Sequence, residues 1–246
     1  MHLSEYLTFY ERGRSHHEQF STATPFPHII LDNFLPPETY TQLCTEFPGP
    51  DNPIWKQPEN QHTLGKSVIR QGALKLKEAN FTQPTRQLLL EFNSSLFLRF
   101  LCLLTGIQNL LPDPYFTEGG FHCSSNGGYL DIHADFSHHD LLGLERRVNL
   151  LLYLNENWQE SYGGELNLYT PELVPAISIA PIGNRVVIFE TSETSFHGHP
   201  VPMKLPAGVY RKSLALYYYS VPRPDRTVTK IVFPADPTFN HQETNT

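Results

Sequence analysis

Two periods of apolar residues divide the chain. From residue 85 to 105 apolar side chains fall at 88, 89, 92, 96, 97, 100, 101, 103 and 104, the 3.6-residue spacing of a well-buried helix, and Gly106 follows as a stop. Beyond Pro112 the pattern changes. The runs 128–133, 148–155, 165–169, 185–189 and 213–220 are short, rich in β-forming residues and separated by clusters of Gly, Pro, Asn and Asp. Strands of this length and spacing predict a jelly roll or barrel, with the helix at 85–105 backing one of its sheets.

The first part of the chain adds a lead-in to that core. Phe26, His28, Ile29, Ile30 and Leu31 read as a strand that ends at Pro36-Pro37, and the Pro pair then starts a helix over residues 38–47. Residues 1–24 are polar and carry Arg12, Arg14, His16 and His17, which predicts a solvated helix or arm without chemistry. From Pro234 onward the chain is polar and should be frayed. The organisation expected is a single domain over 1–246, with an N-terminal strand and supporting helices in 1–110 and the β core in 111–235.

Composition narrows the class. With 15 Gly, 21 Pro, 39% apolar and 17% charged residues, the 246-residue chain is turn-rich but neither fibrous nor disorder-like. A net charge of −7 argues against a nucleic-acid partner, which calls for excess Lys and Arg. Cys44, Cys102 and Cys123 show no CxxC spacing and cannot all pair within one chain, which points to a reducing, cytoplasmic compartment. The N-terminus has no basic region followed by an apolar stretch, and Glu91, Asn93, Ser94, Ser95 and Arg99 interrupt the most apolar window, so neither a signal peptide nor a membrane span is expected.

The chemistry is concentrated in Gly127-Gly128-Tyr129-Leu130-Asp131-Ile132-His133-Ala134-Asp135-Phe136. On a strand, residues i and i+2 project from one face, so His133 and Asp135 can offer an imidazole nitrogen and a carboxylate oxygen to one ion. His197, in Ser195-Phe196-His197-Gly198-His199, is the candidate third ligand. Two imidazoles and one carboxylate on one face of an octahedron leave open positions, which suits a non-haem Fe(II) oxygenase. Arg211 opens the strand-like run Arg211-Lys212-Ser213-Leu214-Ala215-Leu216-Tyr217-Tyr218-Tyr219, and a guanidinium there calls for an anion. A dicarboxylate reaching from the metal to Arg211 would meet both needs; a salt bridge at the barrel rim is the plainer alternative for Arg211.

These segments resemble the 2-oxoglutarate and Fe(II)-dependent oxygenase superfamily in its prolyl 4-hydroxylase-like branch. The likeness runs from about Gly119 to Ser220. It includes the run at 127–136, Arg-Arg-Val-Asn-Leu-Leu-Leu-Tyr-Leu-Asn at 146–155, Trp158, Gly-Gly-Glu-Leu at 163–166, Ser-Phe-His-Gly at 195–198 and Arg-Lys-Ser-Leu-Ala-Leu-Tyr-Tyr-Tyr-Ser at 211–220.

The resemblance implies a distorted double-stranded β-helix, a cupin-like jelly roll with helices along its larger sheet. It implies His133, Asp135 and His197 as iron ligands and Arg211 as the anchor of the 2-oxoglutarate C5 carboxylate. Tyr153 matches a position whose hydroxyl assists that carboxylate, and Ser213 stands beside Arg211 in an Arg-x-Ser pattern. Asn149 shares the face of Tyr153 and could contact cosubstrate or substrate; a core tyrosine, a neighbouring serine and a ladder-facing amide are the structural alternatives for these three.

The reaction implied consumes O2 and 2-oxoglutarate, releases succinate and CO2, and hydroxylates an unactivated C–H bond, with ascorbate as a candidate reductant. Related halogenases replace the carboxylate held here by Asp135, which favours hydroxylation. The branch suggests a prolyl-like or other amino-acid substrate, peptidyl or free, though other small molecules remain open. Two readings from other classes also stand: a non-catalytic jelly-roll binding module, and a cupin-type metalloenzyme that does not use 2-oxoglutarate.

Further residues are assigned more plainly. His138 and His139 fall in a loop after the HxD triplet and are expected at the rim. His199 competes with His197 as the distal ligand, and the resemblance favours His197. One of His122 and Cys123 should line the barrel mouth. Gly163-Gly164-Glu165 reads as a structural turn, because glycines permit positive φ.

Overall fold

The computed structural model describes residues 3–49, 55–56, 68–71, 81–117, 119–224 and 228–234. Its β structure forms two antiparallel sheets. The strands are β1 (His28–Leu31), β2 (Trp55–Lys56), β3 (Val68–Gln71), β4 (Leu111–Pro112), β5 (Gly120–Ser124), β6 (Leu130–His133), β7 (His138–His139), β8 (Leu144–Tyr153), β9 (Leu166–Tyr169), β10 (Pro175–Ile179), β11 (Val186–Glu190), β12 (His197–His199) and β13 (Arg211–Ser220). The larger sheet runs β1-β11-β8-β13-β5-β3-β2, with β4 on β13 and β7 on β8, and the smaller runs β10-β9-β12-β6.

Alternation along the central strands decides what each face meets. Val148, Leu150 and Leu152 of β8, Leu214, Leu216 and Tyr218 of β13, and Val186 and Ile188 of β11 join a single cluster with Phe20, Leu88, Leu101 and Leu104 from the helices. Burying each such aliphatic side chain contributes about 1.5–3 kcal/mol. The opposite face sends Tyr153, Val187 and Phe189 into a second cluster with Leu166, Leu168 and Ile179 of the smaller sheet. Helices therefore cover the outer face of the large sheet, and the inner faces of the two sheets enclose the barrel interior. This is the double-stranded β-helix architecture.

The helices are α1 (Leu3–Ser15), α2 (His17–Ser21), α3 (Pro37–Glu46), α4 (Gln83–Phe92) and α5 (Ser95–Thr105). The single helix expected over 85–105 is two helices bent by 45°. Ser94 is extended, with φ −72° and ψ 156°, and its hydroxyl accepts from Phe97 N, capping α5 where the pattern alone would continue. Leu88, Leu89 and Phe92 of α4 and Leu96, Phe97, Phe100, Leu101 and Leu104 of α5 are all buried, so the apolar stripe crosses the break undisturbed.

The N-terminal segment is helical with Arg14 and His17 exposed, as expected, but it is docked on the core rather than free. Phe9 packs edge-on against Phe97 and Phe100, Phe20 is fully buried, and the His17 ring donates from Nδ1 to Leu104 O at 3.0 Å. Gly13 makes that docking possible, since a Cβ there would lie 2.8 Å from Phe100 O. No single described helix is long and apolar enough to cross a membrane. The expected frayed tail falls on residues 235–246, outside those described, while Val232 pairs with Ala134 beside the smaller sheet.

Candidate metal centre and its pocket

The smaller sheet builds the centre. β12 lies between β9 and β6, and His197 stands directly opposite His133, with ring centroids 4.5 Å apart. Asp135 follows His133 by two residues and reaches the same point. Its Oδ1 is 3.6 Å from His133 Nε2 and its Oδ2 is 3.5 Å from His197 Nε2. One ligand atom from each of the three lies within 4.8 Å of the others. Donors that share an ion at about 2.1 Å sit roughly 3 Å apart when adjacent, so little contraction is needed.

The two rings are fixed in the tautomer a metal requires. His133 Nδ1 lies 2.8 Å from Asp131 O and His197 Nδ1 lies 2.9 Å from Ser195 O. A carbonyl only accepts, so each Nδ1 carries the proton and each Nε2 lone pair faces the centre. Burial, opposed by Asp135, pushes the His197 imidazole down to about 4 and keeps it neutral.

Asp135 is held from behind. Arg146 Nη2 donates to its Oδ2 at 3.1 Å and Asn149 Nδ2 donates to the same oxygen at 2.6 Å, while Arg146 Nε donates to Asn149 Oδ1 at 2.8 Å. Burial opposes ionisation, but Arg146, His197 and His133 outweigh it and hold the carboxyl well below the usual range. The Arg146 guanidinium itself lies over Tyr217, 3.5 Å from the ring centroid, and 4.5 Å from that of Phe136. Sequence reasoning gave Arg146 no role. The residues are three apart on one strand, which in a regular ladder places them on opposite faces.

The large sheet supplies a second group. Ser213 of β13 pairs with Tyr153 of β8 on one side and His122 of β5 on the other, and Arg211 pairs with Ser124. Directly opposed residues share a face, so Tyr153, Ser213, His122 and Arg211 all belong to the inner surface. Cys123 points to the outer cluster instead. Arg211 is buried, donates from Nε to Gly164 O at 2.8 Å and from Nη2 to the Tyr153 hydroxyl at 3.4 Å, and has no carboxylate partner among the described residues. Gly164 belongs to this arrangement as well as to a turn. It has φ +75°, and a Cβ there would meet Met203 Sδ at 2.6 Å and Arg211 Cδ at 3.2 Å.

Other basic residues near this strand are engaged elsewhere. Arg185 grips Asp32 through two bonds of 2.6 and 2.9 Å, and the Lys212 ammonium lies 5.5 Å over Phe47. His139 is not a rim residue. It is almost fully buried, with Nε2 3.0 Å from Thr117 Oγ1 and 3.3 Å from Asp113 Oδ1. His138 is half-buried on β7.

Comparison with known proteins points to the same chemistry. The family model for the 2OG-Fe(II) oxygenase superfamily matches residues 119–219, the segment that carries all three triad residues and Arg211. Over that segment the chain is similar to the 2OG-Fe(II) oxygenase superfamily. The chain shares its fold with a prolyl hydroxylase from Trichoplax adhaerens, solved with a hypoxia inducible factor peptide fragment, at TM-score 0.64 and 20% identity over 89% of this chain and 94% of that one. A prolyl-4-hydroxylase from Pseudomonas putida matches at TM-score 0.60 and 20% identity, covering 85% and 98% of the two chains. HygX from Streptomyces hygroscopicus, solved with nickel and 2-oxoglutarate, matches at TM-score 0.56 and 14% identity over 84% and 87%.

The residues present fit the groups that the superfamily uses. Two imidazoles with inward Nε2 atoms and one ionised carboxylate form the donor set of a facial Fe(II) site, and the buried guanidinium, without a carboxylate partner among the described residues, suits a dicarboxylate cosubstrate.

Proposed function

We propose that this chain is a 2OG-Fe(II) oxygenase that hydroxylates an unactivated C–H bond of an amino-acid, peptidyl or other small-molecule substrate, converting 2-oxoglutarate to succinate and CO2. The observation that carries the reading is the pairing of two features inside one barrel. One is a His133–Asp135–His197 cluster with both Nε2 atoms turned inward; the other is the buried guanidinium of Arg211, which has no carboxylate partner among the described residues, beside the Tyr153 hydroxyl.

In this reading His133, Asp135 and His197 hold Fe(II), and Arg211 with Tyr153 binds the far carboxylate of the cosubstrate. The bound iron supplies the oxidising chemistry. The chain's own residues do the rest: Arg146 and Asn149 keep Asp135 ionised and aimed, and Leu166, Leu168, Val187 and Phe189 keep water from the interior. Phe233, whose ring lies 6.1 Å from that of His133, borders the mouth on the triad side. A peptidyl or small-molecule substrate accords with the fold likeness to a protein solved with a peptide fragment.

Anaerobic titration of the Fe(II)-loaded protein with 2-oxoglutarate tests the reading. A saturable visible metal-to-ligand charge-transfer band is the expected result, followed by succinate release in a screen of amino acids and prolyl peptides. Iron binding without a band would overturn the 2-oxoglutarate assignment.

A further inference from the structure

The ladder of the smaller sheet stops one ligand short. β12 pairs with β6 from Leu130, opposite His199, to His133, opposite His197, and goes no further. Asp135 lies beyond that end, so its main chain needs another partner if its carboxylate is to reach the centre.

That partner is the segment 228–234. Ala134, which stands between two of the ligands, donates from its backbone N to Val232 O at 2.8 Å and accepts from Val232 N at 2.9 Å. Ser137 N donates to Thr229 O at 3.0 Å, and Thr229 N donates to Ser137 Oγ at 2.7 Å. The two contacts keep one antiparallel register, three residues forward on one chain and three back on the other, and they bracket Asp135 and Phe136. The segment therefore continues the sheet past the end of β6.

Side chains reinforce the backbone contact. Directly opposed residues share a face, and Val232 packs on the apolar cluster of Ala134, Tyr169 and Phe196. Ala134 is fully buried between His133 and Asp135, and Phe196 immediately precedes His197, so the cluster is built from neighbours of all three ligands. Phe233 takes the other face, with its ring 6.1 Å from that of His133.

We propose that Thr229 and Val232 are positioning residues of the metal centre: their backbone bonds to Ser137 and Ala134 fix the main chain on both sides of Asp135 and so set the reach of its carboxylate. Arg146 and Asn149 aim that carboxylate from behind, but a side chain is aimed only from a backbone that is already placed. The match to the oxygenase superfamily ends at residue 219, so the clamp comes from chain outside the matched segment. This inference rests on the metal-binding part of the proposed function and is independent of 2-oxoglutarate.

The test compares wild type, Val232→Pro, Val232→Ala and Ser137→Ala in the 246-residue chain. Fe(II) affinity is read without O2 by competition with a chromophoric chelator, the visible spectrum of the Co(II)-loaded protein reports ligand geometry, and melts of the metal-free protein report folding. Val232→Pro removes the N–H that Ala134 O accepts, and it is expected to lower Fe(II) affinity about tenfold and to alter the Co(II) spectrum. Val232→Ala keeps both backbone bonds and is expected to bind Fe(II) like wild type, even where its lost packing lowers the melting temperature. Ser137→Ala removes the acceptor of the Thr229 N–H and is expected to lower affinity about threefold. Wild-type affinity with an unaltered Co(II) spectrum in Val232→Pro, or an equal loss in Val232→Ala, would overturn the clamp and leave the metal centre standing. Should Val232→Pro melt far below the other variants, Ser137→Ala decides, and wild-type affinity there overturns the clamp. Failure of wild type to bind Fe(II) would bring down the metal centre and this inference together.

Discussion

Asn149 Nδ2 donates to Asp135 Oδ2 at 2.6 Å, so the amide side chain of the large sheet orients a carboxylate carried by the small one. The same amide accepts from Arg146 Nε, which closes a three-residue network behind the metal site. Carboxylates aimed in this way bind metal more tightly because they do not reorganise. Asn149→Ala and Arg146→Met are each expected to lower Fe(II) affinity by about 10–100-fold, as outer partners of metal ligands typically do. Competition against a chromophoric chelator measures this, and unchanged affinity in both variants would remove the network from the metal site.

The two sides of the triad should fail differently. His133→Ala is expected to abolish Fe(II) binding with only a modest loss of stability. Asp135→Ala should abolish binding and also destabilise the fold by about 3–5 kcal/mol, because it leaves Arg146 charged and buried without its counter-ion. Metal content and denaturant melts on both variants separate the effects; equal stabilities would contradict the view that Asp135 neutralises Arg146.

Arg211→Ala should leave Fe(II) binding intact and weaken 2-oxoglutarate by roughly 30-fold or more, the loss expected for a charge-assisted bond of about 2 kcal/mol or above. Arg185 and Lys212 cannot substitute, given their contacts with Asp32 and Phe47. Gly164→Ala is expected to show a milder form of the same defect together with a lowered melting temperature. Its Cβ would strain a backbone at φ +75° and press on Met203 and the Arg211 side chain. Isothermal titration with 2-oxoglutarate distinguishes the pair, and normal cosubstrate binding in Arg211→Ala would reassign the anchor.

The metal-free protein should lose stability on mild acidification. At about 4 in the folded state against an ordinary 6.5, His197 stays neutral at pH 5 while the unfolded chain binds a proton there. Stability therefore falls as pH drops from about 7 toward 4, by up to ~3 kcal/mol at 1.36 kcal/mol per unit. Asp135 acts lower: its depressed value stabilises the fold above about pH 4, and that contribution is lost as pH falls through the folded value. Melting of apoprotein at pH 7.5 and 5.0 measures the first phase, and His197→Leu should flatten it; an equally steep slope in that variant would shift the cause elsewhere.

How far the sequence reached can be judged from particular elements. The stop at Gly106 was legible because its φ of +76° is a backbone state that glycine adopts freely. The break at Ser94 was not, since both helices present apolar residues to the same sheet and the pattern runs through the cap. Likewise the shared face of His133 and Asp135 follows from strand alternation alone, whereas the burial of His139 against Asp113 depends on a loop that only the folded chain brings near.

By itself, then, the sequence determined the alternation that gives each strand a core face, the HxD spacing, and the presence of a guanidinium at the head of β13. Which residues meet behind those groups was decided by tertiary structure. Tyr218 pairs with Val148 but Tyr219 pairs with Arg146, so Arg147 is an extra residue in β8 and the ladder shifts by one. That bulge turns Arg146 to the same side as Asn149, although they are three residues apart. Local periodicity cannot reveal it, because a bulge is defined by the partner strand. The same reason hides the pairing of Arg211 with the Gly164 carbonyl, a relation between segments distant in sequence that is fixed only when the two sheets close on one another.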